Sequence, residues 1–334
     1  MVKKENSCER TELLSPGVSN FLKGIFALMV VFGHIQGRID IFDASVIGTL
    51  LSPLGYLAVS GFFFLSAYGL YEQFRAKEGY MDHFARLKIL PFYLFSVILI
   101  LFYTLRDVVF SYGFSPKTFL LSFALGQTVV DFGWYLQVQV LIYLLFYVCF
   151  RFFPKRATAL VTVGLSLYVL ICVLLRMDAT WYQTVFSFAL GLFCAQKKDA
   201  LKKMFSHRLR TALLFLVLLV LFLVAMYFGN KPILPKPLLI IVRGISALLF
   251  AFAALTFCQL LSLRFAPIEA LGKRSLEIYV IQGFVFKVLL ELSLGNDYVF
   301  ILLSLVAILI LAFLLHPLVR SFYRLFQIKQ KTKG

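Results

Sequence analysis

Charged residues are scarce in this chain, and acidic residues are scarcer than basic ones. Only 15% of the 334 residues are charged, with 16 Asp and Glu against 33 Lys and Arg. A soluble domain is nearer one quarter charged, so the composition excludes an ordinary water-soluble enzyme. Hydrophobic residues make up 61% of the chain and form blocks of about 20, the length of a membrane span. The sequence therefore predicts an all-α, polytopic membrane protein.

Cysteine is also rare, and several motifs of well-known enzyme classes are missing. The five cysteines (Cys8, Cys149, Cys172, Cys194 and Cys258) show no C-x-x-C spacing, which argues against a disulfide framework or a zinc site. The chain contains no G-x-x-x-x-G-K-[ST], H-E-x-x-H or G-x-S-x-G. ATP-driven transport, zinc proteolysis and serine hydrolysis by these motifs therefore lack support, and we predict no metal site and no permanently bound cofactor.

Ten apolar segments are candidates for membrane spans. They cover approximately residues 18–37, 46–71, 87–111, 133–152, 158–175, 180–196, 209–229, 238–261, 271–293 and 297–320. The stretch Lys117–Gln127 is too short to cross, and we predict that it is re-entrant or interfacial. Residues 1–17 and 321–334 are predicted to be cytoplasmic tails of a single domain that covers 1–334.

The basic residues are distributed unevenly along the chain. Most Lys and Arg lie in the two tails and in the breaks that follow even-numbered spans, whereas the other breaks hold few of them. Because cytoplasmic loops collect Lys and Arg, this asymmetry predicts ten spans with both termini in the cytoplasm. The net charge of +17 then reflects topology and contact with anionic membrane lipids, not binding of nucleic acid.

The first span carries two ionisable residues inside an apolar stretch. It opens with Asn20-Phe21-Leu22-Lys23-Gly24 and ends with Phe32-Gly33-His34. On an α-helix, eleven residues place Lys23 and His34 on one face, about 16 Å apart. Ionisable groups in a span are costly unless they face a bundle interior or a wet cavity, which favours a functional pair. The alternative is that Lys23 reaches the interface and His34 is a packing residue.

The chain contains four further sequence motifs in addition to this pair, namely Ser60–Tyr68, Arg86–Tyr93, Asp131–Leu136 and Gly272–Gln282. Together with the first span they resemble the acyltransferase-3 superfamily of integral membrane enzymes, and the resemblance covers essentially the whole chain. Two positions depart from the family pattern. Ala67 stands where Gly is usual, which keeps the residue small, and Gln282 replaces a common His, which removes a titratable group there.

The resemblance implies a membrane O-acyltransferase. The donor would be cytosolic acetyl-CoA or another short acyl-CoA, and the acceptor a hydroxyl of a cell-surface glycan, a lipid-linked sugar or a similar envelope molecule. His34 would be the general base, with an acyl-imidazole relay as an open variant, and Lys23 would support it. The family also suggests the plasma membrane of a bacterium.

Six other residues are candidates for binding the two substrates. Arg86 and Lys88 are candidates for the phosphates of acyl-CoA, although positive-inside charges have the same appearance. Asp131, Trp134, Arg243 and Gln282 are candidates for the acceptor. Their alternatives are a solvated loop acid for Asp131, an interfacial aromatic for Trp134, a cation that reaches outward for Arg243 and helix packing for Gln282.

Two other functional classes remain open on the sequence alone. Intramembrane Lys, His and Arg also suit a non-enzymatic translocator of a glycan or lipid intermediate. A catalytically inactive relative that acts as a sensor or scaffold is the third possibility. The intact Lys23 and His34 pair argues against it, whereas Ala67 and Gln282 keep it open.

Overall fold

The computed structural model describes residues 12–39, 45–124, 126–230, 233–261, 263–293 and 295–327. The regular elements in these ranges are all helical. Residues 1–11 of the predicted N-terminal tail and 328–334 of the C-terminal tail lie outside them.

The α-helices follow one another with short connections. They are α1 (Pro16–Gln36), α2 (Val46–Leu51), α3 (Leu54–Ala76), α4 (Tyr80–Phe84), α5 (Leu90–Val109), α6 (Pro116–Leu121), α7 (Trp134–Phe152), α8 (Ala157–Leu174), α9 (Phe186–Gln196), α10 (Lys198–Phe205), α11 (Arg208–Asn230), α12 (Lys236–Leu260), α13 (Ala266–Gly272), α14 (Ser275–Glu291) and α15 (Asp297–Arg324).

Eight helical stretches in the described residues are long and apolar enough to cross a membrane. They are Pro16–Gln36, Ile47–Ala76, Tyr80–Val109, Trp134–Phe152, Pro154–Leu174, Arg208–Asn230, Lys236–Leu260 and Asp297–Arg324. Each overlaps a predicted span, so the prediction of an all-α polytopic membrane protein is confirmed.

The two remaining predicted spans, 180–196 and 271–293, correspond to shorter helices. Helix α9 has 11 residues and α14 has 17, which gives lengths of about 16 and 26 Å at 1.5 Å per residue. The longer of the two is near the lower limit for crossing a bilayer. The count of ten spans and the cytoplasmic position of both termini stay predictions.

A proline explains why the third long stretch starts earlier than predicted. Residues Ala85–Ile89 form a π-helical turn between α4 and α5, in which the N–H of Leu90 bonds to the carbonyl of Ala85. Pro91 has no N–H, and its ring crowds the carbonyl four residues earlier. A wider preceding turn relieves this crowding, so the helical path continues back to Tyr80 instead of beginning near residue 87.

The chain divides into two compact units, each drawn from two separate stretches of sequence. The first unit takes the described residues of Met1–Gln73 and Tyr182–Ser275, and the second those of Phe74–Trp181 and Leu276–Gly334. The first unit thus contains α1, α2, most of α3 and α9–α13. The second contains α4–α8, most of α14 and α15.

Close backbone contacts hold the first unit together. A Cβ atom on Gly272 would lie 1.7 Å from the carbonyl oxygen of Asn20, and one on Gly24 would lie 2.1 Å from that of Ile268. Side chains at these two positions would collide with backbone, so glycine is required where α13 packs on α1. Helices α11 and α12 pack along each other as a hairpin.

Small residues also join α3 to α9 within the first unit. Ala67 is fully buried, and a Cβ on Gly191 would lie 2.9 Å from the Cβ of Ala67 and 2.3 Å from the carbonyl oxygen of Phe64. Alanine at position 67 is therefore small enough for the two helices to pack closely.

Aromatic rings fill the interior of the second unit. The ring centroids of Phe146 and Phe150 lie 4.1 Å apart, those of Phe84 and Phe146 lie 5.2 Å apart, and those of Phe74 and Phe150 lie 4.9 Å apart. Offset and edge-to-face contacts of this kind add to the apolar burial of the rings. They fix α7 against α4 and the end of α3.

Candidate functional site

Helix α1 is continuous and carries both predicted catalytic residues. The hydroxyl of Ser15 caps it by accepting from the N–H of Val18 at 3.3 Å, and the helix continues to Gln36. Its geometry therefore places Lys23 and His34 on one face, about 16 Å apart along the axis. This spacing agrees with the prediction from sequence.

His34 lies in the last turn of α1 and is half-buried. Its Nδ1 atom is shielded from solvent. The guanidinium of Arg38 donates to the backbone carbonyl of His34 at 2.7 Å, which satisfies one of the carbonyls that a helix leaves open at its C-terminus. The backbone of His34 is thus fixed while its side chain remains partly accessible.

Lys23 lies in the half of α1 that packs against α13. It is half-buried, and its neighbour Gly24 makes the close contact with Ile268 described above. This surrounding of packed backbone suits the supporting role that the sequence predicts for Lys23.

The start of α3 packs against the His34 end of α1 within the first unit. A Cβ on Gly33 would lie 2.9 Å from the backbone nitrogen of Gly55, so the two helices approach closely at this point. His34 and Tyr56 each follow one of these glycines in sequence. The close approach therefore brings the end of α1 beside the residues that open α3.

Buried hydroxyl groups join α3, α9 and α12 in the first unit. The hydroxyl oxygens of Tyr56 and Ser246 lie 3.0 Å apart, and those of Ser60 and Ser187 lie 2.7 Å apart. Ser60 also lies 2.8 Å from the carbonyl oxygen of Ala247. We call Tyr56, Ser60, Ser187 and Ser246 the hydroxyl cluster. It is neutral, and its three serines are almost completely buried.

Arg243, a predicted acceptor contact, connects α12 to the end of α11. Its Nε donates to the carbonyl of Gly229 at 2.7 Å, and its own carbonyl accepts from the hydroxyl of Ser246 at 2.8 Å. A cation bonded to the last carbonyls of a helix stabilises that helix end. The observed contacts of Arg243 are thus structural, and its contact with substrate stays a prediction.

Asp131, another predicted acceptor contact, belongs to a group of paired charges in the second unit. Arg106 is only 3% exposed. Its guanidinium donates to Asp131 at 2.5 Å and to Asp107 at 2.8 and 2.6 Å. The ammonium of Lys287 lies 3.7 Å from Asp107. We call Arg106, Asp107, Asp131 and Lys287 the ion cluster, in which two cations balance two carboxylates.

Helix α14 fixes the loop that carries Asp131. The hydroxyl of Tyr279 donates to the carbonyl of Phe132 at 2.5 Å, and a Cβ on Gly283 would lie 2.3 Å from the Cβ of Asp131. Phe132 has a φ of 62°, a strained value for a bulky residue. Such strain persists where the surroundings over-determine the backbone, as these contacts do.

Gln282 and Trp134 lie near this loop. Gln282 is fully buried, and its Nε2 donates to the carbonyl of Tyr279 at 3.0 Å. In the part of the chain that the structure describes, no group bonds to its Oε1. Trp134 is half-buried and opens α7 three residues after Asp131. Asp131 therefore packs on α14 at Gly283, the residue after Gln282, and Trp134 is close to Asp131 in sequence.

The predicted donor-binding cations lie at the other end of α5 from the ion cluster. Arg86 is exposed and Lys88 is half-buried, and both belong to the π-helical turn. Eighteen residues separate Lys88 from Arg106, which corresponds to about 27 Å along a helix. The second unit thus separates its predicted donor contacts from its predicted acceptor contacts by nearly the thickness of a bilayer core.

Comparison with protein families decides the general class of the protein. The family model of the acyltransferase domain matches residues 19–317, a region that contains all eight candidate residues. The chain belongs to this acyltransferase family. No curated protein and no solved structure matches it. Membership of the acyltransferase family, together with the long apolar helices, makes the chain a multi-pass membrane acyltransferase in general terms.

Sequence reasoning missed several residues of this acyltransferase that the structure singles out. Arg106 is absent from the predicted site residues, although an arginine in the last turn of an apolar helix indicates a buried partner. The Nδ1 of His316 lies 2.7 Å from a carboxylate oxygen of Glu277, which is nearly fully buried. Gln183 and Thr184 carry buried side-chain oxygens, and no sequence motif marks either residue.

Proposed function

We propose that this protein transfers an acetyl group, or another short acyl group, from cytosolic acyl-CoA to a hydroxyl of an envelope acceptor. The acceptor class is a cell-surface glycan, a lipid-linked sugar or a similar molecule, and His34 is the general base. Family membership supports acyl transfer. The resemblance of the first-span motif, Asn20–Gly24 followed by His34, to membrane O-acyltransferases supports transfer to oxygen. The observation that carries the proposal is a half-buried imidazole in the last turn of an unbroken helix.

In the proposed reaction His34 takes the proton of the acceptor hydroxyl as that oxygen attacks the thioester carbonyl. The carbon–sulfur bond breaks, CoA leaves as a thiolate, and the thiolate receives the proton from the imidazolium. A positioned general base contributes about 10²–10⁴-fold to a rate. In the relay variant the imidazole attacks the thioester carbonyl, the carbon–sulfur bond breaks, and CoA leaves as a thiolate while acyl-His34 forms. The acceptor oxygen then attacks acyl-His34, which frees the imidazole, and the proton of the acceptor hydroxyl passes to the CoA thiolate.

Each remaining candidate has a distinct proposed part. Arg86 and Lys88 bind the phosphates of CoA, because fixed cations suit phosphate groups. Lys23 keeps α1 in position or contacts the donor. Trp134 and Gln282 contact the acceptor.

Asp131 and Arg243 are the weaker acceptor contacts, since their charges already have protein partners. A ligand would have to share or displace those partners. We further propose that the protein works in the plasma membrane of a bacterium, with its acceptor on the outer face.

The test uses the full chain in lipid nanodiscs with radiolabelled acetyl-CoA and an envelope extract of the source cells. Wild-type protein is expected to move label into the extract, and His34→Ala to lower this transfer at least a hundredfold. The matched control is His207→Ala, because His207 is exposed in a loop and has no proposed role. Substantial transfer by a folded His34→Ala protein would overturn the base assignment.

Donor binding tests the other half of the proposal. The double variant Arg86→Ala/Lys88→Ala is expected to weaken acetyl-CoA binding at least tenfold while the melting temperature stays near that of the wild type. If folded wild-type protein neither binds acetyl-CoA nor transfers label, a translocator of a glycan or lipid intermediate becomes the better interpretation.

A further inference from the structure

A buried break interrupts the helical path ahead of α9. A short 3₁₀ turn covers Ala179–Trp181, and residues 182–185 form turns before α9 begins at Phe186. The sequence of the break, Tyr-Gln-Thr-Val, contains neither glycine nor proline, yet all four residues are buried. In a membrane protein, irregular backbone is tolerated where it is buried in protein or lines a cavity. Tertiary contacts, not local sequence, must therefore explain why the helix is interrupted here.

Two side-chain oxygens at the break have no hydrogen-bonding partner among the described residues. They are Oε1 of Gln183 and Oγ1 of Thr184. Gln183 is 9% exposed and Thr184 is 2% exposed, so bulk water does not solvate them. Because buried polar atoms in folded proteins nearly always have a partner, two neighbouring orphan oxygens indicate a partner other than the described residues.

The surroundings of the break are rich in neutral hydroxyl groups. The carbonyl oxygen of Gln183 lies 3.1 Å from the position of a Cβ on Gly244, which places the break on α12 beside Arg243. Ser187, one turn further on, belongs to the hydroxyl cluster through Ser60. Hydroxyls and amides can both donate and accept, so this environment suits a neutral ligand with several hydroxyl groups, such as a sugar.

The same contacts connect the break to the end of α1 within the first unit. Gly244 lies two residues before Ser246, whose hydroxyl meets that of Tyr56. Tyr56 follows Gly55, which packs against Gly33, the residue before His34. Three close approaches, together with steps of one or two residues along the helices, thus connect the backbone of Gln183 with that of His34.

We propose that the break at residues 182–185 is a binding site for hydroxyl groups of the acceptor. Gln183 Oε1 accepts a hydrogen bond from one hydroxyl, and Thr184 Oγ1 bonds to the same hydroxyl or to its neighbour. The proposal rests on the acyltransferase function proposed above. It adds two residues that determine acceptor specificity, neither of which contributes a titratable group.

The experiment compares variants of similar size and shape that remove the orphan oxygens; Gln183→Met also removes the amide nitrogen. Thr184→Val and Gln183→Met are assayed for label transfer from radiolabelled acetyl-CoA to the envelope extract over a range of extract concentrations. Both are expected to raise the extract concentration at half-maximal transfer at least tenfold, with acetyl-CoA binding and melting temperature close to wild type. Thr184→Ser, which keeps the hydroxyl, is expected to restore transfer.

The matched control is Thr256→Val, which makes the same chemical change in the same unit. Thr256 is fully buried, but its hydroxyl lies 2.8 Å from the carbonyl oxygen of Phe252, so this variant is expected to transfer label as the wild type does.

Three results would overturn the inference. Unchanged extract dependence in both variants would show that the two oxygens do not touch the acceptor. A fall in melting temperature with parallel loss of acetyl-CoA binding would assign them a structural role, such as holding internal water. Absence of transfer and of acetyl-CoA binding in the wild type would overturn the proposed function itself, and the inference with it.

Discussion

Two polar regions among the apolar helices, one in each unit, differ in how their hydrogen-bonding groups are paired. In the second unit the ion cluster pairs every charge, with Arg106 bonded to Asp107 and Asp131. In the first unit the hydroxyl cluster is neutral, and at the adjacent break one side-chain oxygen each of Gln183 and Thr184 has no partner among the described residues.

This difference separates a structural polar group from a ligand-binding one. A fully paired cluster gains little from a ligand, because any new contact must replace an existing one. An orphan oxygen gains a hydrogen bond at no such loss. The comparison therefore predicts that changes in the ion cluster act on stability, and changes at the break act on transfer.

The largest expected effect follows removal of the guanidinium from the ion cluster. Arg106→Leu leaves Asp131 and Asp107 without their main partner, and breaking a buried ion pair in this way costs about 3–5 kcal/mol. Thermal unfolding in detergent, followed by the fluorescence of Trp134 and Trp181, is expected to shift to a markedly lower temperature. Adding Asp131→Asn should recover part of the loss, and a wild-type melting curve for Arg106→Leu would contradict the structural role.

A smaller loss is expected when the close packing of the first unit is disturbed. Gly272→Ala places a Cβ against the carbonyl oxygen of Asn20, and overpacking of this kind costs about 1–3 kcal/mol. The matched control is Gly69→Ala, since nothing lies within 4 Å of a Cβ there. We expect the same unfolding assay to separate the two variants, and equal melting temperatures would show that α13 moves aside freely.

Removal of a paired hydroxyl should have a moderate effect. Ser60→Ala deletes the hydroxyl that Ser187 and the Ala247 carbonyl contact, and leaving buried partners unsatisfied costs about 1–3 kcal/mol. Urea unfolding of the detergent-solubilised protein measures the loss. Double replacement of Ser60 and Ser187 by alanine should cost less than the sum of the single changes. Additive losses would mean that the two hydroxyls do not interact.

The smallest effect on stability is expected at the break itself. Thr184→Val removes an oxygen that has no partner among the described residues, so the change in unfolding free energy is expected to be about zero or slightly favourable. Transfer to the envelope extract should nevertheless fall. A loss of stability as large as that of Ser60→Ala would place Thr184 with the structural hydroxyls and remove the contrast between the two regions.

Local sequence patterns predicted the class of fold and the position of Lys23 and His34 on one face of a helix. The apolar runs gave the long helices, and the eleven-residue spacing of Lys23 and His34 holds because α1 is continuous. Their chemical roles stay predictions, since spacing on one helix says nothing about which substrate atoms come near.

Local sequence patterns did not predict the ion pairs and hydrogen bonds between segments that are far apart in the chain. The ion cluster joins positions 25 residues apart in one bond, and the Glu277–His316 pair spans 39 residues. The break before α9 contains no glycine or proline that would indicate it. The sequence therefore predicted a continuous sixth span over 180–196.

The sequence by itself determined that this protein is a helical membrane protein of the acyltransferase family, because helix formation, membrane insertion and family motifs depend on residues close together in the chain. Only the tertiary structure decided which polar groups are paired and which are left over. Burial and hydrogen bonding depend on helices that are far apart in sequence, such as α3, α9 and α12 around the hydroxyl cluster. That the side-chain oxygens of Gln183 and Thr184 have no partner among the described residues is therefore a property of the fold. No local sequence pattern predicts it.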